Sequence, residues 1–505
     1  MTVAVRRTED ADAVELSALP RAVGTSVGAL ILRHGITKLI GIAGSVILAH
    51  VLFPSDYGIF ALASLLVGAA MTVNDLGLGS SLVQQREEPT REEMQAIFTF
   101  QQIIVLAAVA SLVVLAPVLG AFYHLSRSAM WLTRFMGIYL LATSFRLMPE
   151  VLLTRHVRFG KIAIVAVVTA VVYQTVTVGA ALAGLRYWSL GLGLTVYAVS
   201  SALLINRLAP WPIGWRWDWG IVRDHMRFGI PFQGTVLVAA LETAAGPVLL
   251  GVLLGSSAVG YATFALSIVN LGFFIPILIL QVGFPAMSRL QQDTARMARA
   301  LQLAIKINCY LICVVYLPLF LFGSGLVGLI FSARWLPALP LLTLLLWWGL
   351  LRSLLTMAAT ALNAVGKASL NFWLHLAPAV ASWILIALLV PRRGLLGFGE
   401  ALLVTAIPLP LALLYLRRIM PLRIGAATLR PFALFVGVYA LGLALRTIAG
   451  SASSALLLIA NVVAILAVYV AGAALLERRS LGRLIGWVRA YIGVRKGLTA
   501  VKQPV

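Results

Sequence analysis

Arg33, His34 and Lys38 stand inside an apolar run, residues 23–52, that is long enough to cross a membrane. A charged side chain at bilayer depth costs about 2.5–3.5 kcal/mol on insertion scales, so a helix that keeps one turns it toward partners, water or a ligand. At about 100° per residue, Arg33, His34, Thr37, Lys38, Gly41, Gly44 and Ser45 fall within an arc of about 140°. Ile36, Leu39, Ile42, Val46 and Ile47 occupy the opposite side. The spacing therefore predicts a cationic, small-residue face that lines a cavity and an apolar face for lipid or neighbouring helices.

Further ionisable residues sit in other apolar runs. Asp75 lies about as far after the turn at 53–56 as Arg33 lies before it, and equal depth in a helical hairpin makes the two a candidate pair. A permanent pair makes Arg33 structural; a pair opened by an anionic ligand makes it a switch. Glu242, near the middle of the seventh run, is placed to face Lys38 and close the cavity, or to carry a coupling proton or sodium ion. Arg352, in the tenth run beside Ser353, has no obvious local acid and is read as lining the cavity. Arg146 and Glu150 flank Pro149 at i, i+4 and are read as a local ion pair.

Composition dictates the elements that must position these groups. The chain has 505 residues, 61% hydrophobic and 11% charged, with a mean hydropathy of +0.99, which describes an all-α polytopic membrane protein. The 39 Lys+Arg against 17 Asp+Glu give a formal charge of +22. These basic residues lie mostly between apolar runs and form no recognisable nucleic-acid module, so membrane topology and anionic lipid explain them and nucleic acid is not an expected partner. Cys309 and Cys313 share one apolar run and supply neither a disulfide framework nor a zinc site. No metal site and no catalytic residue is expected.

At about 20 apolar residues per crossing, about fourteen spans are expected, at 23–52, 57–84, 97–123, 130–153, 161–184, 187–208, 230–255, 258–284, 302–331, 336–362, 369–390, 396–416, 429–448 and 453–475. Arginines and lysines gather in alternate loops: Arg86 and Arg91; Arg155, Arg158 and Lys161; Arg207, Arg216, Arg223 and Arg227; Arg289, Arg296 and Arg299; Arg417, Arg418, Arg423 and Arg430. The positive-inside rule makes these loops and both termini cytoplasmic.

Residues 1–22 form a cytoplasmic tail that resembles no cleaved signal, because the apolar run after it is too long and is interrupted by Arg33 and Lys38. Residues 23–208 form a first helical bundle, and 209–229, with Trp211, Trp215, Trp217 and Trp219, an interfacial linker. A second bundle over 230–416, C-terminal spans over 417–475 and a basic amphipathic cytoplasmic tail over 476–505, suited to anionic headgroups, complete the chain.

A weak repeat relates VLFPSDYGIFALASLL, from Val51, to LLGSSAVGYATFALSI, from Leu253, through Leu52/Leu254, Ser55/Ser257 and Gly58/Gly260. Six spans separate the copies, an even number, so both run the same way, as in parallel transporter repeats related by an axis along the membrane normal.

The stretch LFPSDYGIFALASLLVGAAMTVNDLGLGSSLVQQ, Leu52 to Gln85, resembles the bacterial polysaccharide transporters, the lipid-linked oligosaccharide flippases of the multidrug/oligosaccharidyl-lipid/polysaccharide exporter superfamily. It carries a short turn ending in Tyr57-Gly58 after Asp56, a span, then Asp75 to Gly79, small residues and glutamine. MRFGIPFQG at Met226 to Gly234 looks like the start of that family's second lobe, and ALNAVGKASL at Ala361 to Leu370 is similar to its loop after the tenth span.

The resemblance implies two pseudo-symmetric bundles around a central cavity, alternating access, and the bacterial cytoplasmic membrane. A polyprenyl-pyrophosphate-linked oligosaccharide as cargo needs a wet cavity for its hydroxyls and cations for its phosphates. Arg33, Lys38, His34 and Arg352 are the candidates for the latter, with Asp75 and Glu242 for gating or ion coupling. A polymerase and glycosyltransferases are the expected partners, and no cofactor is expected beyond a coupling proton or sodium ion. A cation-coupled multidrug exporter would favour an acidic cavity, against the cationic first span. A membrane glycosyltransferase or polymerase generally needs a sizeable loop or domain with acid-base residues, and neither such a domain nor a Gly-rich phosphate loop is present.

Overall fold

The computed structural model describes residues 35–74, 77–85, 87–290, 293–406, 408–449 and 454–478. Arg33, His34, Asp75, the 1–22 tail and the C-terminal tail beyond Arg478 lie outside them. The helices are α1 (Gly35–Val51), α2 (Pro54–Asn74), α3 (Leu78–Gln84), α4 (Arg91–Phe122), α5 (Arg127–Phe135), α6 (Gly137–Ser144), α7 (Leu147–Arg155), α8 (Phe159–Leu182) and α9 (Trp188–Leu208). They continue with α10 (Trp219–Leu254), α11 (Ser256–Arg289), α12 (Thr294–Ile330), a 3-10 turn at Ala333–Ala338, α13 (Leu339–Ala364) and α14 (Ala368–Arg393). Last come α15 (Leu395–Val404), α16 (Pro408–Ile419), α17 (Ile424–Ala449) and α18 (Ala455–Leu476).

No strand occurs among the described residues, and 12 of the helical segments are long and apolar enough to cross a membrane. Over its described residues, each of the fourteen predicted runs corresponds to a helix or to a helix with a break. The reason is the hydrocarbon itself, where each backbone N–H and C=O must be satisfied within its own segment.

The breaks have local causes. Gly77 adopts φ 76° at the start of α3, a left-handed conformation that glycine takes without a Cβ penalty, so the second run divides into α2 and α3. In the fourth run the carbonyl of Phe145 accepts from Asn206 Nδ2 at 2.9 Å, which satisfies it where α6 gives way to α7. α4 opens on a capping box, with Thr90 and Glu93 each bonding the other's backbone N–H.

The aromatic linker is shorter than 209–229. The Asp218 carboxylate accepts from Ile221 N–H at 3.3 Å, an N-cap that starts α10 at Trp219. Residues 209–218 form a strap along α4. Trp211 is buried against Phe98, Gln95 Nε2 donates to the Pro212 carbonyl at 3.0 Å, and Arg216 N–H donates to Thr99 Oγ1 at 2.9 Å. Trp215 and Trp217 remain exposed, as a membrane-interface belt requires.

The chain forms two compact units. The first runs to Leu266 and adds Ile330–Leu341 and Phe372–Thr405; the second takes Ser267–Leu329, Leu342–Asn371 and the chain from Ala406 onward. In the first, α8 and α9 approach so closely that a Cβ on Gly193 would overlap Thr177 Oγ1. Arg155 donates to the carbonyls of Leu82 and Gln85 at 2.6 and 2.9 Å, closing the C-terminus of α3. His225 Nδ1 lies 2.8 Å from Ser81 Oγ and ties α10 to α3. Burial holds the His225 imidazole below its ordinary pKa, outweighing the opposite pull of Glu93 and Asp224.

In the second unit Tyr316 donates to the Val269 carbonyl at 2.7 Å and Asn308 Nδ2 donates to Ser353 Oγ at 2.9 Å, so buried polar groups link α11, α12 and α13. Cys309 and Cys313 are buried free thiols in the same core.

Candidate functional site

The small face of α1 packs as its spacing predicts. Gly44 is buried where a Cβ would overlap the Gln174 amide of α8, while Leu39, on the opposite side, is 68% exposed. One turn along, Thr37, Ile40 and Gly41 line a cavity of about 320 Å³ with Tyr173 and Gln174 of α8 and Tyr197 of α9. Gln174 Oε1 is buried there and has no hydrogen-bond partner among the described residues. A hydroxyl, an amide acceptor and two phenols around one cavity, in helices that cross a membrane, form a surface for polar ligand groups.

Arg146 connects this cavity to a second one. Its Nη1 donates to Tyr197 OH at 3.2 Å and its Nη2 to Glu150 Oε2 at 3.3 Å. Glu150 also lines a cavity of about 360 Å³ between α3 and α7, with Gly79, Ser80, Gln84 and Thr154. The ion pair expected at i, i+4 is thus present, and one of its members reaches a tyrosine 51 residues away. Among the described residues Arg146 Nε is buried with no hydrogen-bond partner. Sequence reasoning passed over Tyr173, Gln174 and Tyr197. The signal for them was polar side chains inside the apolar runs 161–184 and 187–208.

The turn between α1 and α2 is held from the same unit. Asp56 is fully buried and accepts from Phe53 N–H at 3.0 Å, with Arg186 Nε 3.1 Å from its other oxygen. Arg334 lies over the Phe53 ring, and the buried Trp335 donates to the Ala49 carbonyl at 2.9 Å. The two repeat copies also meet here. A Cβ on Gly58 would overlap the Ser256 carbonyl, and a Cβ on Gly260 would overlap the Pro54 carbonyl. Since Ser256 and Gly260 are the repeat counterparts of Pro54 and Gly58, the contact is reciprocal, as a two-fold axis requires.

Of the predicted site residues, Lys38 is half-buried on α1, on the side of Gly41 and Ser45. Glu242 is half-buried on α10 in the first unit, and Arg352 is half-buried on α13 in the second, beside the buried Ser353. Arg33, His34 and Asp75 lie outside the described residues. Among the described residues no group of His, Cys, Asp and Glu is arranged to hold a metal.

Helices that cross a membrane around polar cavities define a multi-pass transport-type membrane protein. Residues 47–340 match the family described as "Polysaccharide biosynthesis protein", and the chain belongs to that family. The succinoglycan biosynthesis transport protein ExoT of Rhizobium meliloti (strain 1021) is 27% identical over 349 residues, 66% of this chain and 68% of the relative. The lipopolysaccharide biosynthesis protein WzxC of Escherichia coli (strain K12) is 23% identical over 357 residues, again 66% and 68%. In fold, the chain is similar to the lipid II flippase MurJ in its inward closed conformation, with a TM-score of 0.71 and 13% identity, over 89% of this chain and 99% of that one.

Proposed function

We propose that this multi-pass membrane protein is a flippase that moves a polyprenyl-pyrophosphate-linked oligosaccharide outward across the cytoplasmic membrane by alternating access. It is a transporter of polysaccharide biosynthesis and not an enzyme. The observation that carries the reading is the cavity against the small face of α1, where Thr37, Tyr173, Gln174 and Tyr197 place polar groups among apolar walls. Sugar hydroxyls left unpaired in hydrocarbon cost several kcal/mol each, and these side chains replace their water. Lys38 and Arg146, with Arg33 and His34, supply cationic groups for the pyrophosphate. The arginine-rich loops support cytoplasmic termini, and export from the cytoplasmic side fits a polymerase and glycosyltransferases as partners.

Gln174→Leu tests the cavity. The amide, whose buried Oε1 has no hydrogen-bond partner among the described residues, is removed at nearly constant volume, so abundance and thermal stability are expected at or above wild type. Export of surface polysaccharide in a complemented deletion strain is expected to fall about fivefold to tenfold, the worth of one hydrogen bond. Wild-type export from this variant would remove Gln174 from the site. Glu242→Gln tests coupling: its export is expected to fall, and normal export by this variant across changes of pH and sodium would show that Glu242 is no ion site.

A further inference from the structure

The end of α1 leaves two backbone acceptors for a distant part of the chain. Pro54 has no N–H to offer the His50 carbonyl, and the Phe53 N–H is taken by Asp56 instead of the Ala49 carbonyl. Both carbonyls are met by the 3-10 turn at Ala333–Ala338: Trp335 Nε1 donates to Ala49 at 2.9 Å and Arg334 Nη1 to His50 at 3.1 Å. The Arg334 guanidinium also covers the Phe53 ring. The Trp335 ring is fully buried, stacked on Phe264 with centroids 4.3 Å apart and edge-on to Tyr57 and Tyr261 at 5.2 and 6.3 Å. Tyr57 stands in one repeat copy, Tyr261 and Phe264 in the other, so one indole closes the junction where the copies meet.

The residue that leads into this turn is strained. Ser332 has φ 103° and ψ 160°, a region that only glycine occupies freely. Its Oγ is buried with no hydrogen-bond partner among the described residues, so no side-chain bond compensates the backbone. Such a residue keeps its conformation only where its surroundings dictate it. The Trp335 N–H bonds back to the Ser332 carbonyl at 3.2 Å, and the seated indole fixes that bond in place. Ile330–Leu341 belongs to the first unit, whereas nearly all of α12 and α13 belongs to the second. Ser332 thus stands where the chain passes from one unit to the other.

We propose that residues 332–338 form a spring-loaded latch. Trp335 and Arg334 grip the end of α1, Ser332 holds strain while they do, and the latch releases once in each export cycle. The latch itself does not depend on what is exported; only its place in the cycle rests on the proposed transport function.

Ala49, 1% exposed beside the indole, supplies the reporter. Ala49→Cys in the purified full-length chain, held in nanodiscs, is labelled with a maleimide, and the native thiols at Cys309 and Cys313 are buried. Adding Ser332→Gly relieves the strain, so the latched state gains and labelling is expected to slow about fivefold or more. Adding Ser332→Ala keeps the strain and removes only the hydroxyl, and the labelling rate is expected to stay unchanged. Equal rates in all three proteins, or the same slowing in Ser332→Ala, would overturn the stored strain. Release during export is read in cells from a His50→Cys, Arg334→Cys pair joined by a reversible bifunctional thiosulfonate. Bridging is expected to stop export of surface polysaccharide, and reductant to restore it. Undiminished export by the bridged protein would overturn the release step. Absence of export from the wild type would instead overturn the transport function, with the labelling rates still deciding the latch.

Discussion

Lys38→Ala is expected to abolish export of the lipid-linked glycan while the protein remains in the membrane at wild-type abundance. Lys38 lies next to Thr37 and one turn before Gly41, both of which line the polar cavity, and it is half-buried on a helix whose far side carries the exposed Leu39. An ammonium kept there is not required for packing, since α1 meets α8 through Gly44 and Gln174. A charge-assisted hydrogen bond to phosphate is worth about 1.5–3 kcal/mol, so its loss corresponds to roughly a 10- to 150-fold fall in export. Lys38→Arg, which keeps the charge, is expected to retain most of the activity. The measurement is surface polysaccharide per cell, with accumulation of the lipid-linked precursor inside. Wild-type levels of both in Lys38→Ala would overturn the cationic-site reading.

Gly58→Val is expected to block transport by a different route. The Cβ would overlap the carbonyl of Ser256, a backbone atom that no rotamer change can move aside, so the two repeat segments must separate at this point. Overpacking of this kind costs about 1–3 kcal/mol, enough to shift a two-state equilibrium by about 5- to 150-fold. Gly260→Val meets the Pro54 carbonyl in the same way, and the reciprocal geometry makes the same phenotype its expected result. A cysteine placed at Ser257, exposed beside this contact, would report the separation through faster labelling by a membrane-impermeant maleimide. The native thiols at Cys309 and Cys313 are buried and leave the background low. Unchanged labelling together with normal export in both valine variants would show that this contact is not part of a moving gate.

Much of the fold is legible from local pattern. A run of about 20 apolar residues in a membrane protein is a helix, because no other backbone conformation satisfies its own hydrogen bonds in hydrocarbon. The positions of α4, α8, α9, α12, α17 and α18 follow directly from the apolar runs. The start of α10 does not, because the Asp218 cap outweighs the change in composition that suggests a later beginning.

For the site, the sequence by itself determined which residue types had to avoid lipid. The small and cationic face of α1, the i, i+4 pair of Arg146 and Glu150 and the glycines shared by the two repeat copies all follow from spacing along one chain segment. Only the tertiary structure decided which partners those faces meet. Tyr197 reaches Arg146 from 51 residues away, Trp335 reaches the Ala49 carbonyl from 286, and Gly58 and Gly260 face each other's repeat across 202 residues. Periodicity shows which side of a helix must be covered. What covers it depends on the order in which many nearly equivalent apolar helices pack, and the sequence of any one of them carries no record of that order.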